Sequence, residues 1–167
     1  MKITKKTIFA FVEVGLFVAA ILMLIAPAVR FTYEDIFGHS QAEEISCFQV
    51  AFGSDKRHLS FSFVAFLAFL FLVAGAVLAC LKIFVIKDAK AQKIVNIIIL
   101  VLGIVAAICY FSSKTGLMIN PKGDDVKASD VADAFEAWNL GVGAIFAAIL
   151  ALAGGAVACV DQFVIKE

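Results

Sequence analysis

The residue best placed to do chemistry is Glu13, an acid inside an otherwise apolar stretch near the N-terminus. It follows Lys6 by seven residues, about 10 Å along a helix that rises about 1.5 Å per residue. An ionised carboxylate at that depth in lipid is costly, so Glu13 is a candidate to bind a proton, a cation or a partner's base. The structural alternative is a neutral or hydrogen-bonded carboxyl, satisfied by Asn96 or by a lysine reaching the interface. Glu13 and Asn96 form the candidate intramembrane polar site.

The four cysteines are the other reactive side chains. Cys47 and Cys109 fall toward the same predicted side of the membrane and could form a disulfide in an oxidising exterior, although sequence alone does not establish their proximity. Cys80 and Cys159 fall near the opposite side. Acylation and metal binding are the alternatives there to packing as small apolar residues, and we expect packing.

The motifs of the main enzyme classes are absent from the sequence. It contains no C-x-x-C pair, no second acid at the depth of Glu13, and no Walker loop, G-x-S-x-G or H-E-x-x-H. His39 and His58 match no metal-ligand spacing with the neighbouring acids. We therefore expect no enzyme activity, no cofactor and no metal site. An isolated acid is also a poor transport pathway.

Four apolar stretches carry Glu13, Asn96 and three of the four cysteines. Hydrophobic residues make up 63% of the 167 residues and the mean hydropathy is +1.01, well above the value for soluble domains. Each stretch approaches or exceeds the roughly 18 to 20 residues that a spanning helix needs. The sequence predicts one all-α membrane domain over residues 1–167, a four-helix bundle with spans at about 7–29, 61–86, 94–111 and 138–160.

The positions of lysine and arginine predict the orientation. Lys2, Lys5 and Lys6 precede the first span, and a second basic group, Lys82, Lys87, Lys90 and Lys93, links spans two and three. By the positive-inside rule both lie in the cytoplasm, together with both termini. The links 30–60 and 112–137 then lie outside. Fourteen basic residues balance fourteen acidic ones, so charge gives no indication of a nucleic-acid partner. We expect the chain to contact the lipid bilayer and a protein partner.

An internal repeat links the second and fourth spans. Residues 75–88 read GAVLACLKIFVIKD and residues 154–167 read GGAVACVDQFVIKE. Duplication of a two-helix hairpin would explain this likeness, and chance matching of low-complexity apolar sequence is the alternative.

Small residues recur every four positions along the fourth span, at Gly143, Ala147, Ala151, Gly155 and Cys159. They line one helix face, on which another backbone can approach closely. We expect this face to hold the monomer together, with association of two copies as the alternative. Similar small residues in span two suggest that the two spans face each other or use similar surfaces.

The outer links are predicted to fold as a small extracytoplasmic cap. Residues 45–52 alternate imperfectly between polar and apolar and predict a short strand that ends at Gly53. Residues 129–137 predict a helix that opens span four with Ser129 as its cap.

An N-terminal lysine cluster, the aromatic-glycine element Ala51-Phe52-Gly53 and a last span rich in glycine and alanine complete the pattern. In these features the chain resembles small four-span bacterial membrane proteins of unassigned function, a resemblance that implies a plasma-membrane location. We expect a non-enzymatic accessory or interaction component that contacts a protein partner or a second copy. The alternative is a small channel or transporter subunit that uses Glu13.

Overall fold

A computed structural model describes residues 5–34, 37, 39–120, 125–127, 130 and 137–163. Its helices are α1 (Lys5–Leu22), α2 (Cys47–Phe52), α3 (Phe63–Phe84), α4 (Ala89–Phe111) and α5 (Val142–Phe163). Among the described residues four helices, α1, α3, α4 and α5, are long and apolar enough to cross a membrane, as many as the sequence predicts. Large apolar side chains such as Phe11, Phe63 and Ile97 are exposed around the bundle, as expected for helices that face lipid.

The four long helices form a square bundle. Helix α1 packs against α3 and α5, and α4 packs against the same two helices. Helices α3 and α5 therefore lie across a diagonal, rather than forming one of the principal helix pairs. The ring of Phe17 fills the space between them, because a Cβ atom on Gly75 or Gly154 would approach that ring to 2.6 and 2.8 Å respectively. These two glycines occupy matching positions in the two similar segments.

A small cap closes one end of the bundle, which we call the cap end. Its sheet has the order β2-β1-β5, formed by β1 (Pro27–Glu34), β2 (Ser40–Ser46) and β5 (Ala137–Leu140), and all its pairings are antiparallel. Two short strands, β3 (Met118–Ile119) and β4 (Val126–Lys127), form a separate pair. The opposite end, where α1 begins and α5 ends, is the termini end. The cap thus adds β-structure to a fold that we predicted to be all-α.

Helices α1 and α5, which correspond to the first and fourth predicted spans, are shorter toward the cap than predicted. Helix α1 ends at Leu22, and a 3₁₀ turn over Met23–Ile25 leads into β1. Pro27 explains this change, because proline disfavours the helical conformation of the residue before it, and Ala26 is indeed extended. Span four was predicted from residue 138, but residues 137–140 form β5 and the helix begins at Val142. The predicted helix over residues 129–137 lies outside the described residues, apart from Asp130 and Ala137, and Ala137 begins β5.

The predicted strand over residues 45–52 is wrong. Strand β2 ends at Ser46, and helix α2 begins at Cys47. Ser46 starts the helix through a capping box: its Oγ accepts from the Gln49 amide at 3.2 Å, and its own amide donates to Gln49 Oε1 at 3.2 Å. Two reciprocal bonds satisfy amides that a helix start otherwise leaves unpaired. Local capping therefore outweighs the imperfect alternation.

Candidate functional site

Each spanning helix contributes one polar side chain to a buried cluster near the termini end. The four residues are Glu13 of α1, Lys82 of α3, Asn96 of α4 and Asp161 of α5, which we call the polar cluster. Their exposed fractions are only 0%, 5%, 3% and 8%. The helices converge here because Glu13 and Asn96 lie about two turns after the starts of their helices, while Lys82 and Asp161 lie in the last turns of theirs.

The ammonium of Lys82 is the centre of the polar cluster. Its Nζ donates to Glu13 Oε2 at 2.6 Å, to Asn96 Oδ1 at 2.9 Å and to Asp161 Oδ2 at 3.2 Å. Asn96 Nδ2 also donates to Asp161 Oδ2, at 3.3 Å. All three ammonium protons therefore have an acceptor, which is the condition under which a buried lysine remains charged at tolerable cost.

Two carboxylate oxygens of the polar cluster take no part in this hydrogen-bond network. Glu13 Oε1 and Asp161 Oδ1 are buried and accept no hydrogen bond within the described part of the chain. Interactions between charges are strong in such a low-dielectric setting. The arrangement can fix the four helices against one another, and its free oxygens can accept a proton.

Sequence reasoning selected two of these four residues. Glu13 and Asn96 meet at the same lysine, although the structure shows no hydrogen bond directly between them. Lys82 was assigned to the basic link after span two, but it lies inside α3 and is buried. Asp161 lies one residue beyond the predicted fourth span, which ends at residue 160.

Two signals in the sequence point to the residues that were missed. Lys82 is followed by Ile83-Phe84-Val85-Ile86, and Asp161, after Gln162, by Phe163-Val164-Ile165, so apolar residues continue beyond each charge. They also occupy the same position in the two similar segments, with opposite charge. Opposite charges at equivalent positions of two spans are natural candidates for a buried pair inside the bundle.

The small-residue face of α5 lies inside the bundle. Ala147 and Ala151 are fully buried, and Gly155 lies against the backbone of Leu100 in α4. Gly143 lies against the backbone of Ala26, just before β1. Cys159 is only partly buried. Four of the five positions therefore contact other parts of the same chain, which leaves little of this face for a second copy.

All four cysteines are free thiols in the structure. Cys47 is buried at the first position of α2, where burial raises the pKa of its thiol to about 12. Cys109 is partly buried in the last turn of α4. The sequence allows a disulfide between Cys47 and Cys109, and the structure shows both as free thiols. No group of three or more histidine, cysteine or acidic side chains that could hold a metal occurs among the described residues.

A second candidate site is a polar groove in the cap, with a volume of about 880 Å³. It forms where the two links meet: the amide of Ser60 donates to the carbonyl of Met118 at 3.1 Å, and the amide of Asn120 donates to that of His58 at 2.7 Å. Asp125 is held by the Ser60 hydroxyl and by Asn120 Nδ2. The full lining is Phe52, Gly53, Ser54, Asp55, His58, Leu59, Ser60, Phe61, Asn120 and Asp125.

Sequence reasoning assigned His58 to a solvated loop, and the structure agrees that its side chain is exposed. Its backbone is left-handed, with a φ of 53°, at the end of the 3₁₀ turn Asp55–Arg57. This turn reverses the chain and brings Leu59 back to pair with Ser54 and with Ile119 of the second link.

Comparison with protein-family models and with curated proteins finds no match for this sequence. The functional argument therefore rests on the two sites alone.

Proposed function

We propose that the protein is a non-enzymatic plasma-membrane component that binds a partner protein through the groove of its cap. The observation that carries this proposal is the folding of two links into one cap. Residues 58–60 and 118–120 are far apart in sequence, yet they pair to form one wall of the groove. A bundle that only needed to connect its helices could do so with shorter, separate loops.

The chemistry of the groove favours a positively charged segment of the partner. Asp55 and Asp125 are both exposed and line it, and exposed Phe52 and Phe61 stand beside them. Acids with neighbouring aromatic rings suit the ammonium or guanidinium group of a lysine or arginine.

The proposed orientation has the cap outside and both termini in the cytoplasm. Lys87, Lys90 and Lys93 support this, because they are exposed at the termini end and obey the positive-inside rule without Lys82. Single-cysteine variants test it on intact cells with a membrane-impermeant maleimide. Ala42→Cys, in the cap sheet, should react on intact cells, and Lys90→Cys only after permeabilisation. The reverse pattern would overturn the orientation and with it the external groove.

Partner binding is tested by crosslinking in native membranes, purification and mass spectrometry. The wild-type chain should recover one partner in stoichiometric amount, and Asp55→Lys should reduce that recovery at least tenfold by reversing a charge in the groove. Glu44→Lys is the matched control, because it reverses an exposed acid of β2 outside the groove. Equal recovery with Asp55→Lys and wild type would contradict the proposal.

A small channel or transporter subunit is the second candidate function. The polar cluster favours it, since Glu13 shares its depth with Lys82 and Asp161 rather than being alone. Glu13→Gln should then abolish ion or solute flux in proteoliposomes and leave partner recovery unchanged. If Glu13→Gln instead abolishes partner recovery and leaves flux intact, Glu13 serves partner binding and not transport.

A further inference from the structure

The charges of the polar cluster do not balance. Glu13 and Asp161 are two acids, and among the side chains that the structure describes Lys82 is the only base within ion-pair distance of them. From each helix packed around the site, the facing polar groups are Glu13 of α1, Lys82 of α3, Asn96 of α4 and Asp161 of α5. With both acids ionised, the site carries a net charge of one negative unit.

An excess charge at this depth is unfavourable. The four side chains are each at least nine-tenths buried, and moving an uncompensated ion out of water costs several kcal/mol even after local relaxation. Buried groups in this situation usually change protonation state rather than remain charged. The cluster therefore needs one further positive charge.

The free oxygens determine which charge that is. Only Glu13 Oε1 and Asp161 Oδ1 lack a hydrogen bond among the cluster atoms, whereas hard metal cations prefer about six oxygen ligands or more. A proton needs only one of these oxygens. A protonated carboxyl would keep its contact with Lys82 through its other oxygen.

We propose that the polar cluster is a proton-binding site in which Glu13 and Asp161 together hold one proton at neutral pH. The proton comes from the aqueous phase at the termini end, where α3 ends two residues after Lys82. Because both acids contact the same ammonium, the bound proton belongs to the pair. The site changes its net charge from zero to one negative unit when this proton leaves. This inference does not depend on what the cap binds.

Infrared spectroscopy of the full chain in lipid nanodiscs tests the proposal. A protonated carboxyl has a carbonyl band separate from that of a carboxylate, and the band shifts in D₂O. The wild-type protein should show this band at pH 7, with the intensity of about one carboxyl per chain by the charge balance above, and lose it at high pH. Absence of the band at pH 7 would overturn the proposal. This arm requires no variant to fold.

Amide variants identify the residues. Glu13→Gln and Asp161→Asn each leave one acid for one lysine, so each should lose the band and remain folded. Glu44→Gln, at an exposed acid in the cap, should retain it. A band that persists in both single variants would overturn the assignment to this pair.

The double variant Glu13→Gln/Asp161→Asn leaves Lys82 without an anion and should unfold more readily than either single variant. A sodium-binding site would behave differently: the wild-type band would be missing, and thermal stability would rise with sodium but not with choline. That result would overturn the proton in favour of a metal cation.

Discussion

The contact between α4 and α5 at Gly103 leads to a quantitative prediction. A Cβ atom on Gly103 would lie 2.5 Å from the carbonyl oxygen of Ala151 and 3.4 Å from Gly155 Cα. Both neighbours are backbone atoms of α5, which cannot rotate away as a side chain can. Gly103→Ala should therefore push the two helices apart locally. Gly15→Ala is the matched control, because Gly15 is also inside a helix and has nothing within 4 Å of the added atom.

The magnitude follows from two opposing terms. A carbon and a carbonyl oxygen in weak contact usually lie about 3.3 to 3.6 Å apart, so the helices must separate by about 1 Å at Gly103. Overpacking of this kind costs about 1 to 3 kcal/mol. Alanine is favoured over glycine in a helix by about 1 kcal/mol. That gain applies equally to both variants and cancels in the comparison.

We expect Gly15→Ala to raise the free energy of unfolding by about 0.5 to 1 kcal/mol. The free energy of unfolding of Gly103→Ala should be lower than that of Gly15→Ala by about 1 to 3 kcal/mol, which is the steric cost alone. Reversible unfolding in mixed detergent and SDS micelles, followed by helical circular dichroism, measures both. Equal unfolding free energies for the two variants, within about 0.5 kcal/mol, would refute the close packing of α4 on α5.

Three further predictions concern the polar cluster and the cap. Lys82→Met should reduce the free energy of unfolding by about 3 to 5 kcal/mol, because two buried acids lose their base; Lys87→Met, at an exposed lysine, should change it by less than about 0.5 kcal/mol. Ser46→Ala should cost about 1 kcal/mol and increase hydrogen exchange of the amides of α2; unchanged exchange would argue against the capping box. Burial raises the pKa of Cys47 to about 12, so its thiolate fraction at pH 8 is about one in ten thousand, against about a quarter for an ordinary exposed cysteine. Maleimide should therefore label Cys47 at least about a thousand times more slowly than the exposed cysteine of Ala42→Cys, and equal rates would contradict its burial.

The spanning helices could be predicted from the sequence because their signal is long and redundant. A run of about 20 apolar residues has few alternatives in a membrane, where the backbone must satisfy its own hydrogen bonds. The ends of the helices were less predictable. At Pro27 and at residues 137–140 the chain leaves the helical conformation and enters a sheet whose partner strands lie far apart in sequence. Local composition does not predict such a pairing.

Two of the four residues of the polar cluster, Glu13 and Asn96, could be predicted from the sequence. Glu13 is conspicuous because apolar residues surround it on both sides. Lys82 lies in a basic region and Asp161 close to the C-terminus, where charges usually mark the edge of the membrane. Only the packing of four helices shows that these two charges face inward. An interior charge near a span's end becomes recognisable when apolar residues continue beyond it.

The pairing of β1 with β5 has a consequence for how a ribosome delivers this chain. Residues 29–32 pair with residues 137–140, so strand β1 gains its second partner only after residues 137–140 have been synthesised. Until then β1 has a free edge, the kind of surface on which quality-control proteases and aggregation act. A product that stops before residue 137 cannot complete the sheet and leaves this edge of β1 unpaired.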